Sequence, residues 1–102
     1  MRSKKTLSIV TTLYKSDSVI DKFVSKAITA AKKLSTSYEI VLVNDGSPDT
    51  SLKKALELQY KEPNIVIVDL ARNFGHHPAI LAGLSEAKGD LIFLIDSDLE
   101  ED

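Results

Sequence analysis

Two carboxylates one residue apart, Asp96 and Asp98, follow an unbroken apolar run, Leu91-Ile92-Phe93-Leu94-Ile95. Five apolar residues bounded by Gly89 and by acids read as a strand buried on both faces. Residues two apart on a strand point to the same side, so Asp96 and Asp98 can converge on one cation. Hard oxygen donors of this kind suit Mg²⁺ or Mn²⁺, commonly shared with substrate phosphates. Asp-x-Asp is also ordinary at strand ends, so the pair gains meaning only from what shares its edge of the fold.

Three other segments carry comparable chemistry: Thr12-Leu13-Tyr14-Lys15, Asn44-Asp45-Gly46-Ser47, and Asp69 with Arg72-Asn73-Phe74-Gly75-His76-His77. Each has a plain structural reading. Asn-Asp-Gly-Ser is turn chemistry, with Gly46 supplying a positive φ. Arg72 alone reads as a solvated surface arginine, and Phe74 as a core plug. Tyr14 can stack on a base or pack on the following helix. Adjacent histidines do not share a helix face, so His76 and His77 are a poor metal pair and fit better at a helix start, near an anion. Asp69 divides evenly between site and scaffold.

The elements that position these segments alternate. Thr6–Thr12 is β-branched and reads as the first strand. Ser18-x-x-Asp21 has the form of a capping box. Val19, Ile20, Phe23, Val24, Ala27, Ile28, Ala31 and Leu34 then recur at helical spacing, with Lys22, Lys26 and Lys32 on the other face. Glu39–Val43 is the second strand. Ser47 as cap and Pro48 at the first position predict the second helix, with Leu52, Ala55, Leu56 and Tyr60 inward and Pro63 ending it. Ile65–Val68 is the third strand. The third helix is expected from Pro78, buried through Ile80, Leu81, Leu84 and Ala87 and stopped by Gly89. Leu91–Ile95 is the fourth strand. This alternation predicts an α/β fold of parallel βαβ units with right-handed crossovers and a sheet covered on both faces. The turns from helix to strand (Ser35-Thr36-Ser37, Lys61-Glu62-Pro63, Lys88-Gly89) are bland, whereas all four chemical segments leave strands. A parallel sheet gathers them at its carboxyl edge, where open α/β sheets bind ligands.

Composition sets the bounds. One hundred and two residues make one domain or part of one, enough for a modest core. Thirteen basic and fifteen acidic residues leave a net charge of −2, which argues against a nucleic-acid partner. The absence of cysteine excludes disulfides, thiolate metal sites and cysteine nucleophiles, and fits a cytoplasmic location. No apolar run approaches a membrane span.

Val43-Asn44-Asp45-Gly46-Ser47, Ala71-Arg72-Asn73-Phe74-Gly75, Ala82-Gly83-Leu84 and Gly89-Asp90 leading to Ile95-Asp96-Ser97-Asp98-Leu99 occur in that order. Together they resemble the family 2 glycosyltransferases of the GT-A fold. The Arg-Asn-Phe-Gly and Ala-Gly-Leu elements are closest to the branch of dolichyl- and undecaprenyl-phosphate sugar transferases. The resemblance implies a Rossmann-like parallel sheet of order 3-2-1-4 with helices on both faces. It makes residues 1–102 the nucleotide-sugar-binding part of such a domain. It implies an inverting enzyme with a nucleotide-sugar donor, UDP-sugar favoured, and an acceptor such as a polyprenyl phosphate or a cell-surface glycan. The full enzyme would work in the cytoplasm or at the inner face of the membrane.

Residue by residue, the resemblance assigns Asp45 to the nucleotide base, Arg72 to the base or diphosphate, and Thr12 and Tyr14 to the nucleoside pocket. Asp96 would face the ribose or sugar and Asp98 would hold the divalent cation, Mg²⁺ or Mn²⁺. Where the family commonly has Lys after Asn-Phe-Gly, this chain has His76, so an anion contact there would depend on imidazole protonation. The catalytic base of the family comes from beyond the metal motif, hence past residue 102, so residues 1–102 alone are expected to bind donor and metal without transferring sugar. The fourth strand would lie at an open apolar edge, which predicts self-association. Two other classes fit less well. A phosphoacceptor receiver needs acids after the first strand, which ends Thr11-Thr12, and a dinucleotide-binding module needs a glycine-rich turn there.

Overall fold

A computed structural model describes residues 3–96. In chain order the elements are β1 (Ser3–Leu13), α1 (Ile20–Leu34), β2 (Ser35–Asn44), α2 (Ser51–Lys61), β3 (Ile65–Asp69), α3 (His76–Glu86) and β4 (Leu91–Leu94). The four strands form one parallel sheet of order β3-β2-β1-β4, as expected. Register aligns the chemical ends of the strands. Leu13 lies opposite Asn44, Asn44 opposite Asp69, and Val10 opposite Leu94.

Alternation along the central strands feeds two cores. Leu7, Ile9, Leu13, Ile40 and Leu42 face α1 and α2, where they meet Ile20, Phe23, Val24, Ala27, Ala31 and Ala55. Val10, Val41 and Val43 face α3 and meet Ala79. Both faces of β1 and β2 are therefore dry, which is why Ile40–Val43 of β2 runs on without polar interruption, while β1 buries Ser8 and Thr11 among its apolar residues. Phe23 is the largest of the buried side chains, and its burial contributes about 1.5–3 kcal/mol. On the thinner side α3 sits close to the sheet. A Cβ added to Gly83 would stand 2.7 Å from methyls of both Val10 and Val43.

Several expected boundaries shift, each for a local reason. β1 runs past Thr6–Thr12 at both ends, and β2 starts directly at Ser35, so Ser35-Thr36-Ser37 is strand and not turn. The buried Ser35 hydroxyl donates to the Lys5 carbonyl, tying the two strands together. The capping box at Ser18 does not form. The residue before α1 is Val19, without a side-chain cap, and the Ser16 carbonyl accepts the N–H groups of Val19 and Ile20. α2 begins at Ser51 and not at Pro48, because Asp49 Oδ1 takes the Ser51 N–H at 3.0 Å. Its inner face is Ser51, Ala55 and Leu58, while Leu56 and Tyr60 point outward, Tyr60 being 93% exposed. α3 opens two residues before Pro78 and buries the small residues Ala79 and Gly83, leaving Leu81 exposed. At this close approach the larger side chains are displaced to the flanks. Leu34, at the last turn of α1, is also exposed.

The largest correction concerns β4. It was expected to be buried on both faces, yet Leu91, Ile92, Phe93 and Leu94 are each between 41% and 48% exposed. The strand pairs only with β1, at the sheet's edge, and no helix of the described residues lies across it. Its entrance is firmly tied. Thr6 N–H donates to Asp90 Oδ2 and Asp90 N–H to the Thr6 carbonyl, at 3.0 and 2.8 Å. Gly89 is not the stop of α3, which ends at Glu86. It lies so near β1 that a Cβ would stand 2.5 Å from Ser8 Oγ.

Candidate functional site

All four strands end on the same side, and one cleft of about 290 Å³ opens there, lined by Thr12, Tyr14, Lys15, Ser16, Val19, His76 and Asp96. Its position follows from topology. β2 and β3 extend the sheet to one side of β1 and β4 to the other, so the loops after β1 and β4 diverge and leave a crevice between them. Ile95 N–H donates to the Val10 carbonyl at 3.0 Å, which continues the β1–β4 ladder and delivers Asp96 beside the end of β1. α3 brings His76 in from the third side, with Nδ1 3.5 Å from Thr12 Oγ1.

The cleft wall is the loop from Tyr14 to Val19. Lys15 holds a left-handed backbone, φ 56°, and its ammonium lies 5.5 Å from the centre of the exposed Tyr14 ring. The wall is fastened to the neighbouring β2–α2 loop. Lys15 N–H donates to Ser47 Oγ at 2.7 Å, Ser16 N–H to Ser51 Oγ at 2.9 Å, and Asp17 N–H to Asp49 Oδ2 at 3.2 Å. Partial burial would raise the pKa of Asp49. Hydrogen bonds from Ser47, Ser51 and Asp17 outweigh it and hold the carboxyl well below the usual carboxylate range.

A second group stands over the ends of β2 and β3. Asp45 is buried, and its Oδ1 accepts the Phe74 N–H at 2.9 Å. Gly46, φ 63°, lies directly against the backbone of Arg72 and Asn73. The Arg72 guanidinium stacks 4.9 Å from the centre of the Phe74 ring, and both are exposed. Asn44 Nδ2 donates to Asp69 Oδ1 at 3.0 Å, which gives Asp69 a scaffold contact.

Of the residues expected at the site, Thr12, Tyr14 and Asp96 meet in the cleft, whereas Asp45 and Arg72 belong to the adjoining group and are not part of its lining. Asp98 lies outside the described residues. Lys15, from the segment Thr12–Lys15, lines the cleft too, and so do Ser16 and Val19, which carried no expected site role; their place just after a strand end was the available signal. Among the described residues no three His, Cys, Asp or Glu side chains gather around one point. Asp96 still supplies a hard carboxylate donor in the cleft. One or two carboxylates, with phosphate and water oxygens, are a donor set that suits Mg²⁺.

A parallel sheet of this order, with its cleft at the carboxyl edge beside the point where the strand order reverses, has the GT-A fold. The sequence pattern of Glycosyl transferase family 2 matches residues 8–102, and the chain belongs to that family. A Mycobacterium tuberculosis (strain CDC 1551 / Oshkosh) protein, named only at the level of glycosyltransferases, is 51% identical over 94% of this chain and 28% of its own length. The undecaprenyl-phosphate 4-deoxy-4-formamido-L-arabinose transferase of Proteus mirabilis (strain HI4320) is 39% identical over 92% of this chain and 29% of its own. The chain thus spans under a third of the curated relatives it matches. In fold it is similar to the mannosyltransferase PcManGT from Pyrobaculum calidifontis, solved with GDP-Man and Mn²⁺. The TM-score is 0.83 at 17% identity, over 94% of this chain and 28% of that one. It is also similar to S. aureus TarS 1-349 in complex with UDP, with a TM-score of 0.77 at 24% identity over 91% and 27%.

Proposed function

We propose that this chain is the donor-binding part of a glycosyltransferase that moves a sugar from a nucleotide-sugar, UDP-sugar favoured, to an acceptor, polyprenyl phosphate favoured over a cell-surface glycan. The observation that carries the reading is the polar cleft at the β1/β4 switch point, with a carboxylate, an imidazole and an aromatic ring on three of its sides. The donor fits this pattern of groups. Tyr14 offers a face for the nucleoside and Thr12 a hydroxyl. Asp45 is assigned to the base and Arg72 to the base or diphosphate, from the adjoining group. Lys15 and His76 bring donors to an anion in the cleft. Asp96 faces the ribose or sugar and, with Asp98, would hold Mg²⁺ or Mn²⁺. Such an ion, when bound, stabilises the charge that grows on the leaving diphosphate.

In the proposed reaction the bond from the anomeric carbon to the diphosphate oxygen breaks and a bond to an acceptor oxygen forms, with inversion. The nucleoside diphosphate departs with the electron pair. The acceptor site and the catalytic base are assigned to the part of the relatives that this chain does not span, so residues 1–102 bind donor without transferring sugar. The place of action is the cytoplasm or the inner membrane face. No helix among the described residues is long and apolar enough to cross a membrane. The exposed β4 edge is proposed to drive self-association of this chain.

The test is thermal unfolding with UDP, run with Mn²⁺ and with EDTA, on the unsubstituted chain and on Asp96→Ala and Asp98→Ala. UDP at a hundred times its dissociation constant stabilises the fold by about 2.7 kcal/mol. The expected result is a metal-dependent upward shift that both substitutions reduce. No shift with UDP or GDP would refute donor binding by this chain, and a shift with GDP alone would change the donor.

A further inference from the structure

Three consecutive backbone N–H groups of the cleft wall, those of Lys15, Ser16 and Asp17, end on three side chains of the β2–α2 loop and the first residue of α2: Ser47, Ser51 and Asp49. Such an arrangement needs all three acceptors aimed at once, and Asp49 is what aims them. Its Oδ1 accepts from the Ser47 hydroxyl, which commits that proton and turns the Ser47 lone pairs toward Lys15. The same Oδ1 accepts the Ser51 N–H at 3.0 Å, which fixes the start of α2 and the Ser51 hydroxyl with it. Oδ2 takes the third amide, of Asp17, directly. The tie is reciprocal. Asp17 Oδ2 accepts from Thr50 Oγ1 at 2.9 Å, and the Asp17 carbonyl accepts from Lys54 Nζ at 2.7 Å. Within the wall, Tyr14 N–H donates to Ser16 Oγ at 3.1 Å, so the aromatic face is set by the same fastening.

We propose that Asp49 is a positioning residue of the nucleotide cleft: by orienting Ser47, Ser51 and the Asp17 amide it holds the Tyr14–Asp17 wall in the conformation a nucleoside diphosphate meets. The proposal rests on the donor-binding reading above. Asp49 lies outside the cleft lining, so its effect on ligand is indirect. The left-handed Lys15 backbone is the strained point of the wall, because an L side chain disfavours that conformation. Ser47 bonds at that residue, so release of Asp49 lets Lys15 relax to φ below zero and swings Tyr14 away. A preformed wall spares the ligand the entropy of ordering it.

The test compares the unsubstituted chain with Asp49→Asn, Ser47→Ala and Glu39→Gln. Glu39 Oε2 accepts from Ser8 Oγ and Lys88 N–H at the opposite edge of the sheet, so Glu39→Gln weakens the fold without touching the wall. Amide hydrogen exchange is read at Lys15, Ser16 and Asp17 without ligand, and UDP affinity by calorimetry with Mn²⁺. Asp49→Asn and Ser47→Ala are expected to speed exchange at the wall amides by about tenfold or more over Glu39→Gln, and to weaken UDP by about five- to tenfold, the scale of one lost hydrogen bond. Unchanged exchange in Asp49→Asn overturns the fastening. Faster exchange with unchanged UDP affinity overturns the positioning role and leaves Asp49 structural. If the unsubstituted chain binds neither UDP nor GDP, the donor-binding reading itself fails and the role falls with it; faster wall exchange in Asp49→Asn then marks that outcome off from a failure of the fastening.

Discussion

Gly46 joins the two groups of the site, and replacing it with Ala should damage both fold and binding. At φ 63° an L side chain costs about 1–2 kcal/mol. The added Cβ would stand 2.3 Å from Asn73 N and 2.4 Å from the carbonyl carbon of Arg72. Ordinary contact lies at about 3.5–4.0 Å. Both opposing atoms are backbone and cannot turn aside by rotation, so the Arg72–Asn73 segment must retreat by about 1 Å or more. The next residue is Phe74, whose N–H bonds the buried Asp45 carboxyl at 2.9 Å. A retreat of that size breaks the bond, and an orphaned buried acceptor costs about 1–3 kcal/mol. The sum is about 2–5 kcal/mol. At about 4–8 °C per kcal/mol for a domain of this size, Tm should fall by about 8 °C or more. Gly75→Ala is the comparison. Gly75 also has a positive φ, 104°, but the nearest atom to its added Cβ is Pro78 Cδ at 3.7 Å. It carries backbone strain without the collision and leaves the Asp45 bond in place. Circular dichroism melts and UDP calorimetry read the two. A Gly46→Ala chain that melts no lower than Gly75→Ala and binds UDP normally would refute the collision.

The depressed pKa of Asp49 makes part of the stability acid-labile. The folded chain favours the ionised carboxyl more than the unfolded chain does, where Asp titrates at about 3.9. That contribution is complete above the unfolded value and fades as pH falls below it toward the lower folded one. Melting from pH 7 to pH 3 should fall more steeply below about pH 4 for the unsubstituted chain than for Asp49→Asn, and equal slopes would contradict the assignment. At the sheet edge, Phe93→Lys places a charge on the exposed β4, and sedimentation at high concentration should show less self-association than the unsubstituted chain. An unsubstituted chain that stays monomeric removes the premise.

The sheet was readable because β2 carries an apolar run buried on both faces and β1 is β-branched, which leaves little other placement for either. The site's location was readable for a related reason: polar, glycine-bearing segments fell only after strands, and the parallel order then collected them. Helix faces were harder. Ala55 faces inward as expected, but Leu56 and Tyr60, which carry the same periodicity, do not, and Ser51 and Leu58 turn inward instead, because the interloop bonds of Ser47, Asp49 and Ser51 set both the start and the rotation of α2. Leu81 was displaced in the same way by the Ala79–Gly83 approach to Val10 and Val43. The burial of β4 was misread because an apolar run reports what a strand can tolerate, not which neighbours have reached it. Asp49 passed unnoticed, since Ser-Pro-Asp-Thr-Ser reads locally as cap and turn, and its partners in the cleft wall stand 32 residues away.

The pairing of Thr6 with Asp90 spans 84 positions of sequence. Of these four strands β1 is the first to leave a ribosome, and its β2 partner follows one helix later. Its other flank must wait until nearly the whole of the described chain has been made. Through that interval Leu7–Val10 presents an unpaired ladder to any extended neighbour, and closing it requires the largest loop among the described strand pairings. The Gly89–Ser8 contact and the Asp90 clasp are therefore the last ties of this four-stranded sheet to close. Of these four strands β4 should be the last gained during synthesis and the first surrendered on heating, with the Asp96 side of the cleft arriving and departing alongside it.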